Sequence, residues 1–323
     1  HNDPMIIIDQ MMQYFGSSTF WKSSHLPHQN IIFANNFYKV NQIELDEIRD
    51  SGMEFIALSK SVAKGIDALY FSPKYEIKLG NYNAKKNKSL ESKIVQQWEN
   101  RFLMEKSYWT NLFKQYNSKI YATHLKWNTS PIVATEAINE LGGVSVLWQT
   151  SFYETMGQLS AVNSDIYFSF SSKLSKIEKL NGSAIKYVIG VGYIFDFNFI
   201  SAKKNARKIK HYLNKNNARK IISIFDGGSS ADERWGAGNT NLQKDYQFLL
   251  EKVLEEKWLG LIIKSKRPGS LRHRLGNVSE ILDSAMRTGR CYFSDDSDYA
   301  DKNLSTRPAD AAFASDIAIH LCL

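Results

Sequence analysis

Two rhythms of polar and apolar positions run through this chain. Short β-branched and aliphatic runs, each closed by polar or glycine-rich residues, predict strands at PMIIID, QNIIFANN and MEFIALS (53–59), then from Lys119 onward at KIYATH, VSVLWQTS, DIYFSFSS and AIKYVIGVGY. Between them the spacing turns helical. A helix is expected over 43–50 and a short one in SVAKGIDAL. A longer amphipathic segment spans 85–117, where Ile94, Trp98, Phe102, Tyr108, Leu112 and Phe113 recur at helical spacing. The stretch SPIVATEAINELGG has Ser130 as its N-cap, Pro131 at the first position and a glycine stop. FYETMGQLSA reads as a polar turn or helix, and SKLSKIEKLNG as a short helix. Strands alternating with short helices predict a parallel sheet with right-handed crossovers.

The rhythm breaks at FDFNFISAKKN (195–205), which reads as a linker, and then resumes. A basic helix, ARKIKHYLNKNN, leads into the strand KIISIFD. Helices follow at 241–257, 278–288 and 308–314, with strands at 259–264, 290–294 and 316–322. In the first of these helices Tyr246, Leu249, Leu250, Val253 and Leu254 share one face. The expected architecture is α/β, with two Rossmann-like parallel-sheet domains, 1–199 and 200–323, facing across a cleft. The last strand, SDIAIHLCL, has no loop and helix after it, so the second domain is expected to be incomplete.

Composition changes this picture only at the margins. The 323 residues suffice for two domains, and 43% hydrophobic with 13% aromatic content describes a folded protein. A net charge of +8 favours anionic substrates or an anionic membrane face. The basic residues are scattered, and without zinc-finger, RNP or basic-zipper patterns a nucleic-acid partner is not expected. The two cysteines, Cys291 and Cys322, sit in apolar runs and read as buried thiols, which points to the cytoplasm. No apolar run reaches ~18 residues, and no signal peptide is visible. His25 and His28 have metal-ligand spacing but no partner motif. Asp295, Asp296 and Asp298 read as a solvated turn, so no metal or cofactor is expected.

The candidate chemistry centres on Lys220–Pro268. A strand runs into the loop Asp226-Gly227-Gly228-Ser229-Ser230, a helix follows, and a second strand ends in Lys264, Lys266 and Arg267 before Pro268. Open α/β sheets bind ligands at the carboxyl ends of their strands. Glycines such as Gly228 let the backbone approach a ligand, and Ser229 and the three cations can hold a phosphate. The loop is neither a Walker A nor a GxGxxG sequence. Arg272, His273 and Arg274 extend the basic patch. In the first half, Gln149, Ser151 and Glu154 stand just past VSVLW, and Glu154 is the candidate general base. His124 and Asp165 are its rivals. Asp232 and Glu233 are further candidate carboxylates in the second-domain loop.

The runs IISIFDGGSSADERWGAG, LIIKSKRP and ADAAFASDIAIHLCL resemble the donor domain of GT-B glycosyltransferases, more narrowly the bacterial surface-carbohydrate (capsule or O-antigen) biosynthesis proteins. ATHLKWNTSPIVATEAINELGGVSVLWQTSFYE resembles the acceptor domain of the same group, and the resemblance covers roughly residues 105–323. It implies that a strand ending in Lys and Pro lines a nucleotide site. Relatives using CMP-activated acidic sugars often carry His-Pro there. This chain has Arg267-Pro268, so the donor stays open between CMP- and UDP-linked sugars. The resemblance further implies transfer to a saccharide or lipid-linked saccharide without a metal, by an enzyme in the cytoplasm or at the inner face of the membrane. The alternatives are a nucleotide-sugar epimerase on the same scaffold and a non-catalytic carbohydrate-assembly module.

Overall fold

The structure, a computed structural model, describes residues 3–9, 25–35, 40–72, 89–126, 128–149, 161–193, 196, 199–235, 238–293 and 307–321. The chain divides into two compact units, His1–Phe195 and Asp196–Leu323.

The first unit is built on an eight-stranded sheet, parallel at every pairing. Its strands are β1 (Met5–Asp9), β2 (Ile31–Asn35), β3 (Glu54–Ala57), β4 (Leu69–Tyr70), β5 (Ser118–Thr123), β6 (Val144–Trp148), β7 (Asn163–Ser169) and β8 (Ala184–Gly190). Their spatial order is β4-β3-β2-β1-β5-β6-β7-β8, so the winding reverses between β1 and β5. The central strands MIIID and IIFAN are continuous apolar runs because helices cover both faces of the sheet there.

Its helices are α1 (Gln42–Asp50), α2 (Lys60–Ala63), α3 (Leu90–Gln115), α4 (Ser130–Glu140) and α5 (Leu174–Leu180). A capping box opens α1: the Asn41 side chain accepts from the Glu44 N–H at 2.8 Å, and Glu44 accepts from the Asn41 N–H at 3.3 Å. In α3 the helical spacing buries Trp109, Leu112 and Phe113. The Trp109 ring meets Tyr121 of β5 at 5.3 Å and Phe113 at 5.6 Å. Ser130 is the first residue of α4 rather than its cap, and its hydroxyl accepts from the Trp109 indole N–H at 3.1 Å.

The second unit carries a four-stranded parallel sheet: β9 (Lys220–Asp226), β10 (Leu259–Ser265), β11 (Cys291–Phe293) and β12 (Ile317–His320). The order β11-β10-β9-β12 puts a second reversal between β9 and β12. Its helices are α6 (Phe199–Lys215), α7 (Asn239–Glu255), α8 (Leu271–Leu275), α9 (Val278–Arg287) and α10 (Pro308–Ala314). The expected linker over 195–205 is helical from Phe199 onward. Ala202, Ala206, Ile209 and Leu213 form a buried face of α6, and the last three pack with Ile221, Ile262, Ala311 and Ala314. The opposite sheet face buries Leu261 and Ile263 against Tyr246, Leu250 and Val253 of α7 and Leu282 and Ala285 of α9. The chain is therefore α/β, with one large and one small parallel sheet. No helix among the described residues is long and apolar enough to cross a membrane.

Candidate functional site

At the end of β9 the apolar run KIISIF closes on Asp226, a carboxylate only 4% exposed. A buried charge needs partners, and three groups supply them. The Gly228 N–H donates to Oδ1 at 2.8 Å, the Tyr246 hydroxyl donates to Oδ2 at 2.7 Å, and an Arg274 Nη2 lies 3.6 Å from Oδ1. The first of these bonds closes a turn two residues after the aspartate, which places Gly228 at φ +88°, where a side chain is strained. The glycine-rich loop thus folds onto its own carboxylate. Burial and the neighbouring Asp226 charge push the Tyr246 hydroxyl well above its ordinary pKa.

Arg274 is the hub of this edge. Its guanidinium donates to the hydroxyls of Ser265 (2.8 Å), Ser229 (3.1 Å) and Ser270 (3.3 Å), and to the Arg267 carbonyl (3.3 Å). Ser229 in turn donates to Asn239 Oδ1, at the start of α7, at 2.6 Å. One buried cation therefore fastens the loop after β9 to the loop after β10 and, through Ser229, to the start of α7. The sequence reading placed Arg274 with Arg272 and His273 in the basic patch at the strand end. It lies instead on the face of α8 that buries Leu271 and Leu275, and this spacing of three and one residues was the available signal.

The predicted cations part company. Lys264 alternates with Ser265 along β10, so it shares the sheet face of Ile262, against α6 and α10. Its ammonium donates to the Ser265 carbonyl at 3.2 Å. Burial lowers its pKa, and Asp226 and Asp310 work in the opposite direction. Lys266 and Arg267 are exposed at the strand end. The Lys266 N–H donates to the Asp226 carbonyl at 3.2 Å, and a side chain at 228 would stand 3.8 Å from the Arg267 Cδ. Gly228, Ser229, Lys264, Lys266 and Arg267 are thus gathered at the carboxyl edge of β9 and β10.

The loop carboxylates have local partners. Arg234 grips Asp232 through two bonds of 2.8 and 2.7 Å and holds its carboxyl below the usual range. Glu233 caps α7, accepting from the Thr240 N–H and hydroxyl, both at 3.1 Å. Gly238 leaves the space this carboxylate occupies, because a Cβ there would collide with it.

In the first unit Gln149 is 1% exposed at the end of β6, and its side-chain Oε1 accepts from the Phe170 N–H at 2.7 Å. It joins the ends of β6 and β7. Ser151 and Glu154 lie outside the described residues, as do Asp295, Asp296, Asp298 and Cys322. Asp165 lies in β7, two residues past its first residue. It is held by the Ser145 N–H at 2.7 Å, the Ser145 hydroxyl at 3.0 Å and Lys186 at 2.5 Å, which is a structural role. His124, just past β5, is 5% exposed, and burial drops its pKa to about 4. His28 Nδ1 lies 2.9 Å from the Ser51 carbonyl, and no group of three metal-ligating side chains is found among the described residues.

One pairing escaped the sequence reading. Asp9 ends β1 and is 1% exposed, and the Tyr121 hydroxyl donates to its Oδ2 at 2.8 Å. Each unit therefore carries, on the strand beside its winding reversal, a terminal aspartate bonded by a buried tyrosine. The available signal was an aspartate closing the apolar runs MIIID and KIISIFD. No protein-family model matches the chain, and no curated protein is significantly similar to it.

Proposed function

We propose that the chain is a metal-independent glycosyltransferase of the GT-B arrangement, in which two sheet domains face across a cleft. In this reading it moves a sugar from a CMP- or UDP-linked donor to a surface polysaccharide or its lipid-linked precursor, in the cytoplasm or at the inner face of the membrane. The observation that carries it is the set of Ser229, Lys264, Lys266 and Arg267 at the carboxyl edge of β9 and β10, with Ser229 in the loop of the strand that borders the winding reversal, where doubly wound sheets take nucleotides. The cations would neutralise the donor phosphates in place of a metal. The acceptor hydroxyl attacks the anomeric carbon, the bond to the phosphate oxygen breaks, and the nucleotide leaves with the electron pair. Glu154 is the group assigned to take the hydroxyl proton.

A second reading, a non-catalytic carbohydrate-assembly module, draws on the Glu233 carboxylate that already fills the N-terminus of α7. Nucleotide binding without sugar release would favour it. The test of the main reading is a thermal-shift screen of CMP, UDP, GDP and their sugars. A ligand at about a hundred times its Kd stabilises by ~2.7 kcal/mol, a shift of several degrees. Lys264→Ala should shrink that shift. A screen in which no nucleotide stabilises the protein overturns the transferase reading.

A further inference from the structure

The net positive charge of this chain is gathered in one stretch. Its 41 Lys and Arg exceed its 33 Asp and Glu by eight. Eight of those cations lie between Asp196 and Asp226, where there is no acidic residue, and the rest of the chain holds 33 of each sign. Six of the eight are in α6. This helix buries Ala202, Ala206, Ile209 and Leu213 against the core of the second unit. On the opposite side, at helical spacing, Lys204, Arg207, Lys208, His211 and Lys215 form one exposed stripe. Lys204 stands three and four positions from Arg207 and Lys208, a spacing at which like charges destabilise a helix. Among the described residues the stretch holds one ion pair, Lys210 with Asp316 at 3.4 Å, and Lys210 lies to one side of the stripe. An anionic partner would relieve the repulsion that the fold leaves in place.

Apolar groups accompany the cations. Ile200, 83% exposed, continues the stripe by one turn towards the start of α6 and gives it a length of about 22 Å. Phe313 of α10, 40% exposed, borders it beside Lys203, whose ammonium stands 5.4 Å from the centre of the ring. A cluster of Lys and Arg on an amphipathic helix suits the head groups of anionic lipids, and an aliphatic side chain among them gains by entering the acyl boundary. Lysine supplies three of the four stripe charges, whereas base-edge recognition favours guanidinium forks. We propose that the outward face of α6 docks this protein on an anionic phospholipid bilayer. The docking goes beyond the transferase reading and does not rest on it.

Flotation of the full chain with phosphatidylcholine vesicles containing about 30% phosphatidylglycerol, in about 0.1 M salt, should carry the protein with the vesicles, and pure phosphatidylcholine should not. Each basic residue near such a surface is worth roughly a fivefold gain, so Lys204→Ala, Arg207→Ala and Lys208→Ala together should lower the partition on the order of a hundredfold. These side chains are exposed, so the thermal unfolding temperature of the triple variant should not change. Ile200→Ala leaves the charge intact and should weaken vesicle binding severalfold. A wild-type chain that stays behind in solution overturns the proposal, as does a triple variant that floats as the wild type does. A random-sequence DNA duplex at equal phosphate concentration is the competitor. If it strips the protein from the vesicles, the stripe belongs to nucleic acid and the docking is overturned. A protein that binds vesicles but fails the nucleotide screen upholds the docking and loses the transferase reading.

Discussion

The Tyr246 hydroxyl donates to the Asp226 carboxylate at 2.7 Å, inside the second unit and under the loop first read as a phosphate cradle. With the Gly228 N–H and Arg274 around it, this aspartate organises the loop before any ligand arrives. The same relation between Tyr121 and Asp9 recurs at 2.8 Å in the first unit. In both, a buried aspartate ends the strand beside the winding reversal.

Removing one member of a buried ion pair leaves an uncompensated charge, at a cost of about 3–5 kcal/mol. Arg274→Met should destabilise the second unit by that amount, measured by urea unfolding with hydrogen exchange followed over 220–265. Tyr246→Phe removes a hydrogen bond to a charged group and should cost about 1.5–3 kcal/mol. Adding Asp226→Asn to Arg274→Met should recover part of the loss. A double variant as unstable as Arg274→Met alone would contradict the charge argument.

Glu233 and Gly238 form one capping device, so their substitutions should not add. Glu233→Ala loses the bonds to Thr240, a loss of about 1 kcal/mol. The backbone at Gly238 has φ −75°, so Gly238→Ala acts by evicting the Glu233 carboxylate rather than by straining the chain, at a similar cost. The double variant should be less destabilised than the sum of the two. Equilibrium unfolding of the three variants checks this. An additive result would show that the two residues act apart.

Strands and crossovers were legible because buried parallel strands are continuous apolar runs and their helices repeat at helical spacing. The order of the strands was not, since it is fixed by pairings such as Asp9 with Thr123, 114 positions along the chain. The start of α6 was hidden because FDFNF precedes Ala202 and Ala206, whose small side chains carry little apolar signal although both are buried. At the candidate site the residue types were legible but their partners were not. The sequence placed Gly228, Ser229, Lys264, Lys266 and Arg267 at strand ends. It could not show that Lys264 takes one face of β10, that Arg274 is buried on the other, or that Asp226 consumes the Gly228 N–H.

His124 gives the stability a defined pH signature. Its ring is buried, and its pKa falls from 6.5 to about 4, so the folded protein holds it neutral while the unfolded chain protonates near 6.5. Above pH 6.5 neither state binds the proton and His124 adds no slope. Between pH 6.5 and 4 the unfolded state binds more protons, so stability is lost as the pH is lowered, by about 3 kcal/mol over the whole window. Below pH 4 both states are protonated and this contribution is flat again. Carboxylates also titrate in this range, so the informative quantity is a difference. His124→Gln should lose roughly 2 kcal/mol less than the wild type between pH 7 and pH 4.5, by urea unfolding at each pH. Equal losses in the two proteins would mean that the imidazole is protonated in the folded state, and that the cavity around it admits a charge.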